Sequence, residues 1–310
     1  MVNETMLKDI IMEVVTQLEK EKAILPAMLP LAGGCCGDNK CINSTGCGKG
    51  NCDCCSDVDT DEITAPDYRS KLLVPAPKDE KAYRYMKGTT PARIGVWRAG
   101  DRPLTETVIR FRADHALAID SVFSAVDENL IKEMGWVSLK TQVDDKDMHL
   151  TRPDLGRDLC ADSKALLMEK CTKKPRVQVI ISDGLSSKAV EANMKDLLPA
   201  FMQGMKLHNI ETGTPVFVKY GRVAVQDAIG EDLGAEVSII FVGERPGLIT
   251  AESLSAYIIY KPRRGVAEAE RTVLSNIHAG GTPPVEAGAH LATIVKNILD
   301  KKASGINLEK

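Results

Sequence analysis

The stretch EVSIIFVGERPG, residues 236–247, runs an apolar strand into a carboxylate and a guanidinium, Glu244 and Arg245, held between Gly243 and Pro246–Gly247. In an open parallel sheet, ligands sit beyond the carboxyl ends of the strands, where loops vary freely and helix N-termini point at the site. Two more loops arrive at the same end on this reading: SDGLSS (182–187) and YGRV (220–223). Glu244 is therefore a candidate ligand contact. The competing reading pairs it with Arg245 or makes it a turn cap. Asp183, in an Asp-Gly step before a helix, reads as a helix cap rather than a ligand.

Other chemistries lack their residues. No G-x-G-x-x-G follows the first strand of the α/β part, and no G-x-x-x-x-G-K-[ST] occurs, so neither dinucleotide nor triphosphate finds a glycine cradle. No glycine-flanked nucleophilic serine follows a strand. The histidines at 115, 149, 208, 278 and 290 have no H-x-x-x-H spacing, which argues against a histidine metal site. Seven of the nine cysteines fall between Cys35 and Cys55, a set that could hold zinc or an iron–sulfur cluster. Their spacings match no paired C-x-x-C knuckle, however, and the reading is a thiol-rich tether.

The elements that must position Glu244 follow from the patterning. VQVIISD (177–183), TPVFVKYG (214–221) and EVSIIFVG (236–243) are short buried strands separated by helical stretches, the signature of βαβ units. Pro199 divides the first of those helices in two. Two further strands, AYIIY and TVLSN, precede a last helix with Thr282 as its cap and Pro283 in its first turn. The expected fold class is α/β: a C-terminal Rossmann-like, doubly wound parallel sheet over 173–310, preceded by a mainly helical region over 78–172. In that region Pro103 suits a helix start. Residues 1–22 place Leu7, Ile10, Ile11, Val14, Val15 and Leu18 on one helical face, and 23–77 form a flexible Cys/Gly-rich linker. The amphipathic face has nothing beside it to pack against, so it suits a partner groove.

Composition narrows the partners. The 310 residues carry 40 basic and 43 acidic side chains, a net charge of −3, with 4% aromatics and no basic stripe, which argues against nucleic acid. No run approaches the roughly 18–20 apolar residues of a membrane span, and the N-terminus lacks a signal pattern, so a cytosolic chain is expected.

From about residue 90 onward the chain resembles the small (light) subunits of ethanolamine ammonia-lyase. The motifs that carry the resemblance are RAGDRPLTETVIRFRADHA, LTRPDLGRDLC, VQVIISDGLSS, GTPVFVKYGRV, VGERPGL, ESLSAYIIYKPR, SNIHAGGTPPVEAGA and KASGIN. The resemblance implies an adenosylcobalamin-dependent lyase in which a large subunit binds ethanolamine and carries the radical chemistry, giving acetaldehyde and ammonia. The small subunit covers the corrinoid from the other side and is inactive alone. Glu244 resembles the family's cobalamin-contacting glutamate, Val223 matches a second contact position, and Val273 a third, where the family can carry cysteine. The family also implies that the N-terminal helix addresses the complex to a bacterial microcompartment shell in the cytoplasm. Free-standing alternatives are a Rossmann-type oxidoreductase, disfavoured by the missing glycine fingerprint, and a metal or redox protein built on the cysteine cluster.

Overall fold

The computed structural model describes residues 71–308, so the expected N-terminal helix, most of the linker and the cysteine cluster lie outside the described residues. Two compact units are found, meeting in sequence at Ala113–Asp114. Described residues 71–113 hold α1 (Glu80–Thr89), the two-residue strands β1 (Arg98–Ala99) and β2 (Arg102–Pro103), and the start of α2 (Thr105–Phe123). Asp79 caps α1 by accepting from the Ala82 N–H at 3.0 Å. Pro103 lies in β2, paired with Arg98, and the helix begins two residues later than the sequence suggests.

The second unit contains α3 (Glu128–Glu133), β3 (Val137–Lys140), α4 (Lys146–Thr151), α5 (Ala161–Lys170), β4 (Val177–Ser182), α6 (Ser187–Leu207), β5 (Val216–Lys219), α7 (Val225–Leu233), β6 (Val237–Gly243), β7 (Leu254–Tyr260), β8 (Thr272–Ile277) and α8 (Pro284–Lys301). One six-stranded sheet runs β3-β5-β4-β6-β7-β8. The first four strands are parallel, whereas β6–β7 and β7–β8 are antiparallel. The sheet is therefore mixed, not wholly parallel as expected. The connections explain the change: β6 reaches β7 through ten residues, 244–253, too few for a crossover helix. The edge strand β3 comes from the segment read as helical. At four residues, with only Leu139 buried, it offers little apolar run to recognise.

Helices cover both faces, which is why β4 and β6 are buried along their whole length. On one face Val179, Ile181, Ile239, Phe241 and Ile258 pack with Leu197 and Phe201 of α6 and Leu291 and Val295 of α8. On the other, Ile180, Val218, Ile240 and Val242 meet Leu167 of α5 and Val225 and Ile229 of α7. Pro199 does not divide α6. Its missing N–H frees only the carbonyl four residues back, on exposed Lys195, where water can reach it, while Leu197, Leu198 and Phe201 hold the helix to the core. The last helix starts one residue later than expected, with Pro283 at the cap position and Pro284 in the first turn. No described helix is long and apolar enough to cross a membrane.

Candidate functional site

The three loops do converge at the carboxyl ends of β4, β5 and β6. Ser182, the last residue of β4, donates through Oγ to the Val218 carbonyl at 2.8 Å and accepts from the Gly221 N–H at 3.1 Å. Buried Asp183 accepts from the Tyr220 N–H at 2.7 Å. Two consecutive side chains after β4 thus hold two consecutive N–H groups after β5. Tyr220 needs that grip, because its φ of 61° lies in the left-handed region, which costs a side-chain-bearing residue about 1 kcal/mol or more. Asp183 is therefore not the expected helix cap. Ser186 does that work, accepting from the Ala189 N–H at 3.2 Å.

The third loop is locked to the first by backbone. The Leu185 N–H donates to the Gly243 carbonyl at 2.9 Å, and a Cβ on Gly243 would overlap the carbonyl oxygens of Ser186 and Asp183. Gly184, at φ 51°, meets the same carbonyl from the other side. Only glycine fits this crossing. The next residue, Glu244, is anchored by its N–H to the Ser253 carbonyl at 3.0 Å.

Glu244 is half-buried, and its Oε1 accepts the Tyr257 hydroxyl at 2.8 Å. No ion pair or other side-chain hydrogen bond to this carboxylate occurs among the described residues, so the pairing with Arg245 weighed from sequence is absent. Burial, and then the bond to Glu244, raise the Tyr257 pKa and keep the hydroxyl a donor. Tyr257 stands directly opposite Val273 in the β7–β8 register, so the two side chains share a face of the sheet. Val273 is 46% exposed. Val223 and Tyr257 both pack against the cluster built on Ile180 and Ile240. The structure therefore joins Glu244 to Val273 through Tyr257 and sets Val223 on the same side of the sheet.

Tyr257 is itself braced. With its amide oriented to satisfy both neighbours, Gln226 donates to the Tyr257 carbonyl at 3.0 Å and accepts from Arg271 Nε at 3.2 Å. Arg271, buried just before β8, pairs with buried Asp227 of α7 and with Glu268. Burial lifts the Asp227 pKa to about 6 against the pull of Arg271.

A second group of side chains lies under the β4 and β5 loops, and sequence reading missed it. His149 of α4 is fully buried, with Nε2 2.9 Å from the Gly184 carbonyl. A carbonyl only accepts, so Nε2 carries the proton. Burial, then Arg222 and Lys146, press the His149 pKa down to about 4, and the ring stays neutral. This segment was expected to lie outside the α/β part. Its helix instead packs beneath the site, where Arg222 Nη2 reaches the His149 carbonyl at 2.5 Å. Burial raises the Asp183 pKa to about 6, with Lys146 opposing, and Lys146 is pushed below its ordinary value by its own burial. Among the described residues no group of three His, Cys, Asp or Glu could hold a metal.

The family model for the ethanolamine ammonia-lyase light chain matches residues 80–309. The chain is 54% identical over 248 residues to the ethanolamine ammonia-lyase small subunit of Listeria monocytogenes serotype 4a (strain HCC23), covering 80% of this chain and 85% of the relative. It is 54% identical over 258 residues to the small subunit of Clostridium perfringens (strain ATCC 13124), covering 82% and 88%. Against that of Clostridioides difficile (strain 630) identity is 55% over 249 residues, covering 80% and 85%.

Proposed function

Because the chain belongs to the family of ethanolamine ammonia-lyase light chains, and so to a lyase complex, we propose that it holds adenosylcobalamin against a catalytic large subunit that converts ethanolamine to acetaldehyde and ammonia. The four parallel strands β3-β5-β4-β6 serve as a Rossmann-like platform, and their carboxyl ends face the cofactor. Glu244 carries the reading. Tyr257 fixes one carboxylate oxygen, and the other has no partner among the described residues, an acceptor held in place for a donor from outside. The corrin ring bears peripheral carboxamides, whose N–H groups are such donors, so the residues present fit the group.

When bound, the cofactor supplies the radical that starts hydrogen transfer from substrate. The chain's own residues do the rest of the proposed work. Glu244 orients the ring edge, Val223 and Val273 present apolar surface that excludes water, and the glycine crossing at 184 and 243 keeps the three loops in register. The segment over 1–22 would take the complex to a bacterial microcompartment shell through the face of Leu7, Ile10, Ile11, Val14, Val15 and Leu18. The test is co-purification with the large subunit, followed by ethanolamine deamination with and without adenosylcobalamin. Cofactor-independent turnover, or turnover by this chain alone, would sink the assignment. For the address, residues 1–22 fused to a fluorescent protein should gather in shells, and a diffuse fusion would refute it.

A further inference from the structure

The amino ends of β4 and β5, at the opposite end of the sheet, hold a cavity of about 610 Å³ where α6 stops and the chain turns toward β5. Buried Met205 and Ile210, with half-buried Met202, give it an apolar floor. The turn that walls it is fixed from both sides. Asn209, at φ 55°, donates its N–H to the Lys206 carbonyl at 2.9 Å, and the Ile210 N–H follows on the Met205 carbonyl at 3.0 Å. Farther on, Thr212 bridges to Val177 at the start of β4, and the Gly213 N–H reaches the Val177 carbonyl at 2.8 Å. Thr172, which also lines the cavity, meets Thr214 hydroxyl to hydroxyl at 3.2 Å. Held by backbone bonds before any ligand arrives, the cavity falls within the roughly 300–1,000 Å³ of small-molecule sites.

Two charged side chains line this cavity, Lys206 on the last turn of α6 and Glu211 in the turn that follows. Neither makes an ion pair or a side-chain hydrogen bond among the described residues, with each other or with a neighbour. A lysine in the last turn suits the negative end of a helix by itself, whereas a carboxylate just past that end does not. Glu211 therefore calls for a cation from outside, and Lys206 for an anion. The geometry points to a binding site for a small zwitterion of about dipeptide size, with its ammonium at Glu211, its carboxylate at Lys206 and its apolar body over Met202, Met205 and Ile210. The two thioethers let that floor adapt to the body it receives. Asn209 and Thr212 supply the polar groups that orient the ligand's amide. The inference stands apart from the cobalamin reading, because none of these residues belongs to the three loops at the carboxyl ends of the strands.

The test is isothermal titration of the full chain, assembled with its large subunit, against three probes: leucyl-leucine, its N-acetyl form without the ammonium, and its C-terminal amide without the carboxylate. Wild type should bind leucyl-leucine most tightly. Glu211→Gln should weaken leucyl-leucine and the amide about three- to tenfold and change the acetyl form by less than about twofold. Lys206→Gln should weaken leucyl-leucine and the acetyl form by as much and spare the amide. Both side chains are exposed with no protein partner to lose, so the Tm of each variant should stay near wild type. Met202→Trp, which fills the cavity, should abolish binding of all three probes. Acetyl and amide forms bound as tightly as leucyl-leucine would overturn the pairing of charges. Binding that survives Met202→Trp would put the ligand elsewhere and overturn the site, and a wild type that binds none of the three would end the inference.

Discussion

Replacing Glu244 by Gln asks whether its free oxygen is an acceptor for the cofactor. Gln keeps the length of the side chain, and its carbonyl oxygen still accepts the Tyr257 hydroxyl now held at 2.8 Å. The other terminal atom changes from an acceptor to an N–H donor. A hydrogen bond to a charged group is worth about 1.5–3 kcal/mol, so a lost amide-to-carboxylate bond should weaken binding roughly tenfold to a hundredfold. The fold should notice little, since the carboxylate is only half-buried and the Tyr257 bond survives in neutral form, a change of about 1 kcal/mol or less. Separation of the two readouts is the signature. Corrinoid affinity of the assembled complex, measured by absorbance titration, should fall while its Tm stays near wild type. Tyr257→Phe provides the control: it leaves the carboxylate but lets it wander, and should cost affinity by less than Glu244→Gln does. Wild-type affinity in a properly assembled Glu244→Gln complex would refute a direct contact.

Removing Arg271 strands Asp227 in the core, so Arg271→Ala should destabilise the chain by about 3–5 kcal/mol in urea unfolding, whereas Arg271→Met with Asp227→Leu should recover much of that loss. Gly243→Ala should lower Tm and disturb the site together, because the added methyl meets two carbonyl oxygens at the loop crossing. Asp183 has its folded pKa raised to about 6 from 3.8, so the fold favours its protonated form. That stabilisation is fully present below the unfolded pKa and is lost as pH rises through about 6. Asp183→Asn, which keeps an oxygen for the Tyr220 N–H, should therefore flatten the fall in stability between pH 4 and 6, and an unchanged slope in thermal unfolding would count against a buried, titrating Asp183.

What sequence reading recovers and what it misses divide along a physical line. VQVIIS, VFVK and VSIIFVG announce themselves because strands covered on both faces must be apolar throughout. Glu244 stands out for a related reason: it is the first charge after seven buried residues, and a glycine delivers it. Tyr257 hides inside LSAYIIY, where an aromatic reads as core, and only the antiparallel register with β6 brings its hydroxyl to Glu244. Lys146, His149, Asp183 and Arg222 come together through the bonds of His149 to the Gly184 carbonyl and to Arg222, 35 and 73 residues away in sequence, and such contacts leave no periodic trace. They depend on α4 meeting the loops after β4 and β5, in a segment whose one strand, β3, is too short and too exposed to advertise itself.

That division bears on how the site is built. Glu244, legible from the sequence itself, leaves the carboxyl end of β6, while Val223 and Val273, the positions the resemblance implies, are half-buried after β5 and exposed along β8. The hidden residues hold the loops from beneath: Asp183 sets the left-handed turn at Tyr220, and Arg222 reaches back to α4. A polar network of this kind stabilises only if its members are satisfied, because each buried group left without a partner carries its full desolvation cost. Here the unsatisfied atoms are two cationic donors, Lys146 Nζ and Arg222 Nε, and one acceptor, His149 Nδ1. An anion reaching both donors would satisfy them and settle the loop geometry in one step. Ligand binding and ordering of the Val223 loop should then be coupled, so that hydrogen exchange at Tyr220 and Gly221 slows when cobalamin binds. Unchanged exchange at both amides on cobalamin binding would separate the loop from the ligand and leave Glu244 to act alone.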